Sequence, residues 1–128
     1  MKIYSIGIMR SCNQDFQKIE IFEDFSKGLK GIEDSQHLWI LYWLHKISRD
    51  QRKVLQVHPM GNLTQPKRGV FTTRSPARPN PIGLTEVKLV KKEGNVLIVQ
   101  GLDAFEGSPV LDIKSFRKKD SWKRGGDV

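Results

Sequence analysis

A chain of 128 residues has room for one hydrophobic core and no second domain, and 38% hydrophobic with 28% charged residues excludes a disordered polyelectrolyte and implies a folded, soluble protein. Twenty-two Lys and Arg against fourteen Asp and Glu give a formal charge of +8, which makes nucleic acid the leading class of partner, with solubility alone as the other reading. Cys12, the only cysteine, excludes an intramolecular disulfide and a Cys-based zinc cluster, and no segment reaches the ~20 apolar residues of a membrane span or the pattern of a secretory signal, so a reducing cytoplasm is expected.

Ile3, Tyr4, Ile6 and Ile8 predict a first strand, closed by a polar loop from Ser11 to Gln17. Ile19, Ile21 and Phe22 predict a second. Phe22, Phe25, Leu29 and Ile32 then fall at helical spacing, with Gly28 and Gly31 limiting that helix to about two turns. The run from His37 to His45, the most apolar in the chain, reads as a central strand buried on both faces. Val54, Leu55 and Val57 precede a turn-rich stretch, after which Gly69 to Thr73 recovers strand character.

Three prolines between Arg74 and Pro81 forbid regular helix and predict a stiff loop. Leu84 to Val90 and Val96 to Leu102 alternate around Glu93-Gly94-Asn95, the pattern of a hairpin. Pro109 to Ile113 supplies a last strand. Beyond Lys114 the chain is basic and poor in apolar residues, so residues 115–128 are expected to be only partly ordered. About seven short strands with one or two short helices point to a mainly β, single-domain sandwich or barrel covering residues 1–128.

Two loops could carry chemistry. The segment Arg74 to Pro81 presents two guanidinium groups, a hydroxyl and an amide with little entropy left to lose on binding. A rigid connector, or a polyproline-type ligand, explains the same prolines. Asp103 to Pro109 places Asp103 and Glu106 three residues apart at a strand end, suited to a cationic ligand or simply to a turn. His37, His45 and His58 match no compact ligand spacing, so no metal is expected. The chain has no Gly-x-Gly-x-x-Gly and no phosphate-binding lysine loop, which leaves a Rossmann or P-loop cofactor site unsupported.

Gly69-Val70-Phe71-Thr72-Thr73-Arg74-Ser75-Pro76, continuing through Arg78-Pro79-Asn80-Pro81-Ile82-Gly83-Leu84, resembles the signature of the tRNA methyltransferase O family, also called TsaA-like. A second stretch, Gly101-Leu102-Asp103 with Glu106-Gly107-Ser108-Pro109-Val110-Leu111-Asp112-Ile113-Lys114, is similar to that family's other signature, and the resemblance runs from about Ile3 to Lys114.

The resemblance implies a small β-barrel that assembles as a homodimer, with S-adenosylmethionine near the subunit interface. It also implies methylation of the exocyclic amine of threonylcarbamoyl-adenosine beside the tRNA anticodon. Carried over by position, the cofactor contacts fall on His45, Lys46, Arg74, Leu84 and the loop Asp103, Ala104, Phe105 and Glu106. Arg78, Asn80 and Lys114 are the expected substrate contacts, and no residue is assigned as a general base. Asp103 or Glu106 would hold the sulfonium while Leu84 and Phe105 pack the adenine.

Three departures accompany the match. The segment Ser11 to Lys18 is too short for the family's Pro-Arg-Gln element, Glu106 replaces Asp, and Ser115-Phe116 replaces Pro-Tyr. A non-catalytic barrel that binds RNA or the cofactor is therefore the alternative.

Overall fold

A computed structural model describes residues 1–116. Six strands close into one antiparallel barrel in the order β1-β2-β7-β6-β3-β8. They are β1 (Gly7–Cys12), β2 (Gln17–Ile21), β3 (His37–Trp43), β6 (Ile82–Glu93), β7 (Val96–Gln100) and β8 (Pro109–Ser115). A separate ladder of two-residue strands, β4 (Gln56–Val57) and β5 (Arg68–Gly69), lies in the long connection between β3 and β6. The mainly β barrel is thus the fold, and no helix among the described residues is long and apolar enough to cross a membrane.

Alternation along each strand sends one set of side chains inward. Met9 of β1, Ile19 and Ile21 of β2, Leu38 and Ile40 of β3, Val87 of β6, Leu97 and Val99 of β7 and Val110 of β8 fill the interior. Each such aliphatic side chain contributes about 1.5–3 kcal/mol by leaving water. Register shifts at Met9/Ser11, Leu41/Tyr42 and Leu89/Lys91 bend the strands where six of them must close on themselves. The hairpin of β6 and β7 turns at Gly94 and Asn95, with Gly94 at φ 60°.

Several local expectations need correction. The first strand starts at Gly7 rather than Ile3 and runs through Cys12, which shrinks the polar loop to the Asn13–Phe16 turn. Asn13 holds that turn by accepting the amides of Asp15 and Phe16 at its Oδ1.

The apolar spacing from Phe22 to Ile32 yields 3-10 turns, Glu23–Leu29 and Ile32–Asp34, in place of an α-helix. Gly31 at φ 83° separates them, and burial of Leu29 over the barrel end decides the geometry more than helix propensity does. β3 is buried on its inner face only. Its outer face is half covered, by Phe116 over Trp39 and by Arg52 over Trp43. The strand at Gly69 to Thr73 ends at Gly69 and becomes the 3-10 turn Val70–Thr72, because Val70 turns inward to full burial. β8 extends to Ser115 and Phe116 packs on Trp39, so the expected tail begins later than Ser115; the rest of it, residues 117–128, lies outside the described residues.

Candidate functional site

At one end of the barrel the Pro-rich loop and the acidic loop face each other across the start of β6. Neither is held by a ladder of backbone bonds. In the Pro-rich loop, Arg78 donates from its guanidinium to the carbonyls of Val70 (3.0 Å), Thr73 (3.2 Å) and Ser75 (3.1 Å). Arg52 reaches across to donate its Nε to the Pro79 carbonyl at 2.8 Å, and Pro81 is anchored by the Leu44 amide at 2.7 Å. Charge-assisted bonds of this kind are about twice as strong as neutral ones, so the two arginines act as internal ties.

Opposite it, the acidic loop between β7 and β8 is tied at both ends. Gln17, buried on β2, accepts the Leu102 amide at 2.9 Å. The Tyr42 hydroxyl donates to the Asp103 carbonyl at 2.6 Å and lies 2.9 Å from Thr85 Oγ1. Ser108, also buried, donates through both its hydroxyl and its amide to the Phe105 carbonyl. Gly107 at φ 87° makes the corner that lets its amide donate to Met9.

Tyr42 owes its position to the residue across the ladder. It pairs with Gly83, where a Cβ would stand 2.4 Å from the phenol ring. Only glycine leaves room for the ring to lie flat against β6. Burial pushes the phenol above its ordinary value near 10, the Thr85 hydrogen bond opposes this, and the Asp103 charge adds to it. The hydroxyl is therefore a proton donor throughout the working pH range, fit for holding a carbonyl and unsuited to acting as a base.

The two loops and the β6 edge enclose an open groove of about 870 Å³, with Arg74 on one wall and Asp103 on the other. Leu84, Ala104, Phe105 and Phe71 supply apolar surface, and Phe71 and Phe105 are 77% and 61% exposed. Large apolar side chains held open to water beside fixed polar groups mark a ligand site. The Arg74 guanidinium and the Asp103 carboxylate have no hydrogen-bond or ion-pair partner among the described residues, so both are available to a ligand. Among those residues no cluster suits a metal ion.

The expected site residues divide into groups. Arg74, Leu84, Asp103, Ala104 and Phe105 line the groove together, as do Arg78 and Asn80, although the Arg78 guanidinium is already bonded within its own loop. His45 and Lys46 stand behind the acidic loop: His45 Nδ1 is 3.4 Å from Ser108 Oγ, and Lys46 Nζ lies 4.3 Å from the centre of the Phe105 ring. Glu106 is exposed on the turn beyond the groove lining. Lys114, near the far end of β8 and paired with Asp112 at 2.9 Å, is carried toward the other end of the barrel.

Sequence reasoning missed Tyr42, Thr85, Gly83, Ser108 and Gln17, which position the loops. One signal was present: Tyr42 occupies an inward position of an alternating strand, and a buried phenol must find a partner.

Residues 9–120 match the family model described as the tRNA-methyltransferase O N-terminal domain. The chain is 41% identical over 115 residues to a probable S-adenosyl-L-methionine-binding protein of Methanocaldococcus jannaschii, covering 89% of this chain and 90% of that one. It is 46% identical over 96 residues to the tRNA (adenine(37)-N6)-methyltransferase of Mus musculus, covering 75% of this chain but 22% of the mouse protein. The crystal structure of TrmO from Pseudomonas aeruginosa superposes with a TM-score of 0.71 at 28% identity, over 93% of this chain and 57% of that one. The chain thus spans little more than half of that TrmO.

Proposed function

This chain belongs to the tRNA-methyltransferase O family, and from that premise we propose that it transfers a methyl group from S-adenosylmethionine to the exocyclic amine of an adenosine in tRNA. The finer reading is that the adenosine lies beside the anticodon in its threonylcarbamoyl form, and that the protein works as a cytoplasmic homodimer. The names borne by the archaeal and mouse relatives support cofactor and substrate class. The observation that carries the proposal is that Arg74 and Asp103, from two loops far apart in sequence, line one groove.

The groove suits the cofactor. Its volume of about 870 Å³ falls within the ~300–1,000 Å³ of small-molecule sites. Leu84 and Phe105 offer faces for an adenine, Asp103 a negative charge for a cationic centre, and Arg74 a fork for a carboxylate. When bound, S-adenosylmethionine supplies an activated methyl group. The protein's part is to align that group with the amine and exclude water, and alignment alone can lower a barrier by about 7–11 kcal/mol. Asp103 serves binding rather than the chemical step, since holding a positive charge that disappears during transfer would oppose the reaction. No side chain is assigned to accept the amine proton.

The test is calorimetry with S-adenosylmethionine and its demethylated product, paired with transfer of a labelled methyl group into tRNA. Saturable heat and incorporation are expected, and folded protein giving no heat at millimolar cofactor would exclude the reading. Mass spectrometry of tRNA from cells lacking the protein then identifies the nucleotide. The tight Asn13–Phe16 turn favours one second reading, a barrel that binds RNA without transferring a methyl group. That reading predicts salt-sensitive tRNA binding with no label incorporated.

A further inference from the structure

Charge is distributed unevenly over the fold. Residues 45–80, the excursion that leaves β3 and returns to β6, hold eight Lys and Arg and one acidic residue, Asp50. Residues 1–44 and 81–116, which build the barrel, hold nine Lys and Arg against eleven Asp and Glu. Nearly all the positive surplus of the described residues therefore sits on one excursion beside the groove.

Within that excursion a second cavity of about 910 Å³ opens between the β4–β5 ladder and the Pro-rich loop. Val57, Pro59, Met60 and Leu63 give it apolar surface, while Lys67, Arg68 and Arg74 stand around it. The side chains of these three cations have no hydrogen-bond or ion-pair partner among the described residues. Met60 is fully exposed and holds φ 52°, a left-handed conformation rare for a side chain of its size, and Leu63 is 79% exposed. Thr73, Arg74, Ser75 and Pro76 form part of this cavity and of the groove alike, so the two adjoin across one stretch of loop.

An apolar surface ringed by unpaired cations is the chemistry that receives an unstacked nucleotide, base on the apolar side and phosphates on the guanidinium and ammonium groups. We infer that this cavity seats an unpaired nucleotide flanking the one that is methylated, with Lys67 and Arg68 on its phosphates and Arg74, on the shared wall, left to the cofactor. The excursion is then the RNA-docking element, and the barrel its support. This rests on the methyltransferase reading of the adjoining groove.

The test uses the full chain and a labelled, unmodified tRNA transcript, with affinity followed by fluorescence anisotropy across a salt series. Lys67→Gln/Arg68→Gln is expected to weaken binding about tenfold or more at low salt, and to reduce the slope of log K against log salt by about 1 per side chain removed. Met60→Ser/Leu63→Ser is expected to weaken binding about tenfold at unchanged slope, because it removes base contacts and no charge. Lys27→Gln/Lys30→Gln, on and just after the 3-10 turn at the other end of the barrel, is expected to bind like wild type.

Wild-type affinity and slope in the Lys67/Arg68 variant would overturn the inference, as would an equal loss in the Lys27/Lys30 variant. So would a Met60/Leu63 variant that keeps its RNA affinity but sediments as a monomer where wild type is a dimer, since the cavity would then be an interface between copies. Titrating S-adenosylmethionine into the same proteins separates the two readings. Cofactor binding without tRNA binding removes the docking element alone, whereas tRNA binding lost through Lys67 and Arg68 without cofactor binding supports docking and removes the groove reading.

Discussion

The barrel and the excursion between β3 and β6 are built on opposite principles. In the barrel, paired backbones and inward aliphatics such as Ile40 and Leu97 satisfy each other, and outward charges nearly cancel. In the excursion, two strands of two residues each are the only ladder, and the chain is held by side chains that reach for carbonyls: Arg78, Arg52, Thr72 and Thr73. Its apolar residues Leu55, Met60, Leu63 and Phe71 face water. The difference is one of commitment: the closed sheet uses its side chains on itself, whereas the excursion leaves cations and apolar surface exposed.

The comparison breaks most visibly at the core. Ile40→Ala deletes a fully buried side chain and is expected to cost about 2–5 kcal/mol of unfolding free energy. Denaturant titration should show that loss, while ligand affinity in the surviving folded fraction stays near wild type. Arg78→Ala acts on the other region. Losing three charge-assisted bonds should loosen the Pro-rich loop by about 1.5–3 kcal/mol of local stability, read as faster amide exchange in residues 70–80 and weaker cofactor binding, with a smaller change in global unfolding.

Tyr42→Phe sits on the boundary. It frees the Asp103 carbonyl and should weaken cofactor binding by about 1 kcal/mol with little loss of packing. Because the folded pKa of Tyr42 is raised, its contribution to stability is complete below its ordinary pKa of 10.0 and lost as pH rises through the higher folded value. Wild type and Tyr42→Phe should therefore converge in stability only at strongly alkaline pH, which parallel thermal melts would check. The smallest effect is expected from Lys53→Ala, whose pair with Asp50 is 3.7 Å long and exposed on both sides; unfolding should change by under about 0.5 kcal/mol.

Much of this architecture was legible in the chain because it depends on near neighbours. The β6–β7 hairpin followed from alternation around Gly94-Asn95, and the stiff loop from its prolines. Arg74, Leu84 and Asp103 to Phe105 were named through family resemblance, and barrel closure brings them to the lining of one groove. What could not be read was long-range. Tyr42 meets Asp103 across 61 positions and Gln17 meets Leu102 across 85, and no local pattern encodes either contact. The same holds just after β5, where the strand-like composition of Val70 to Thr73 gave way to a 3-10 turn because Val70 found a buried place.

The central claim is that the Pro-rich and acidic loops form one cofactor site, and calorimetry of S-adenosylmethionine binding to wild type and Arg74→Ala tests it most directly. The account predicts saturable binding to wild type and an affinity about tenfold or more lower in the variant, with unchanged melting temperature. Equal affinities in the two proteins would contradict it.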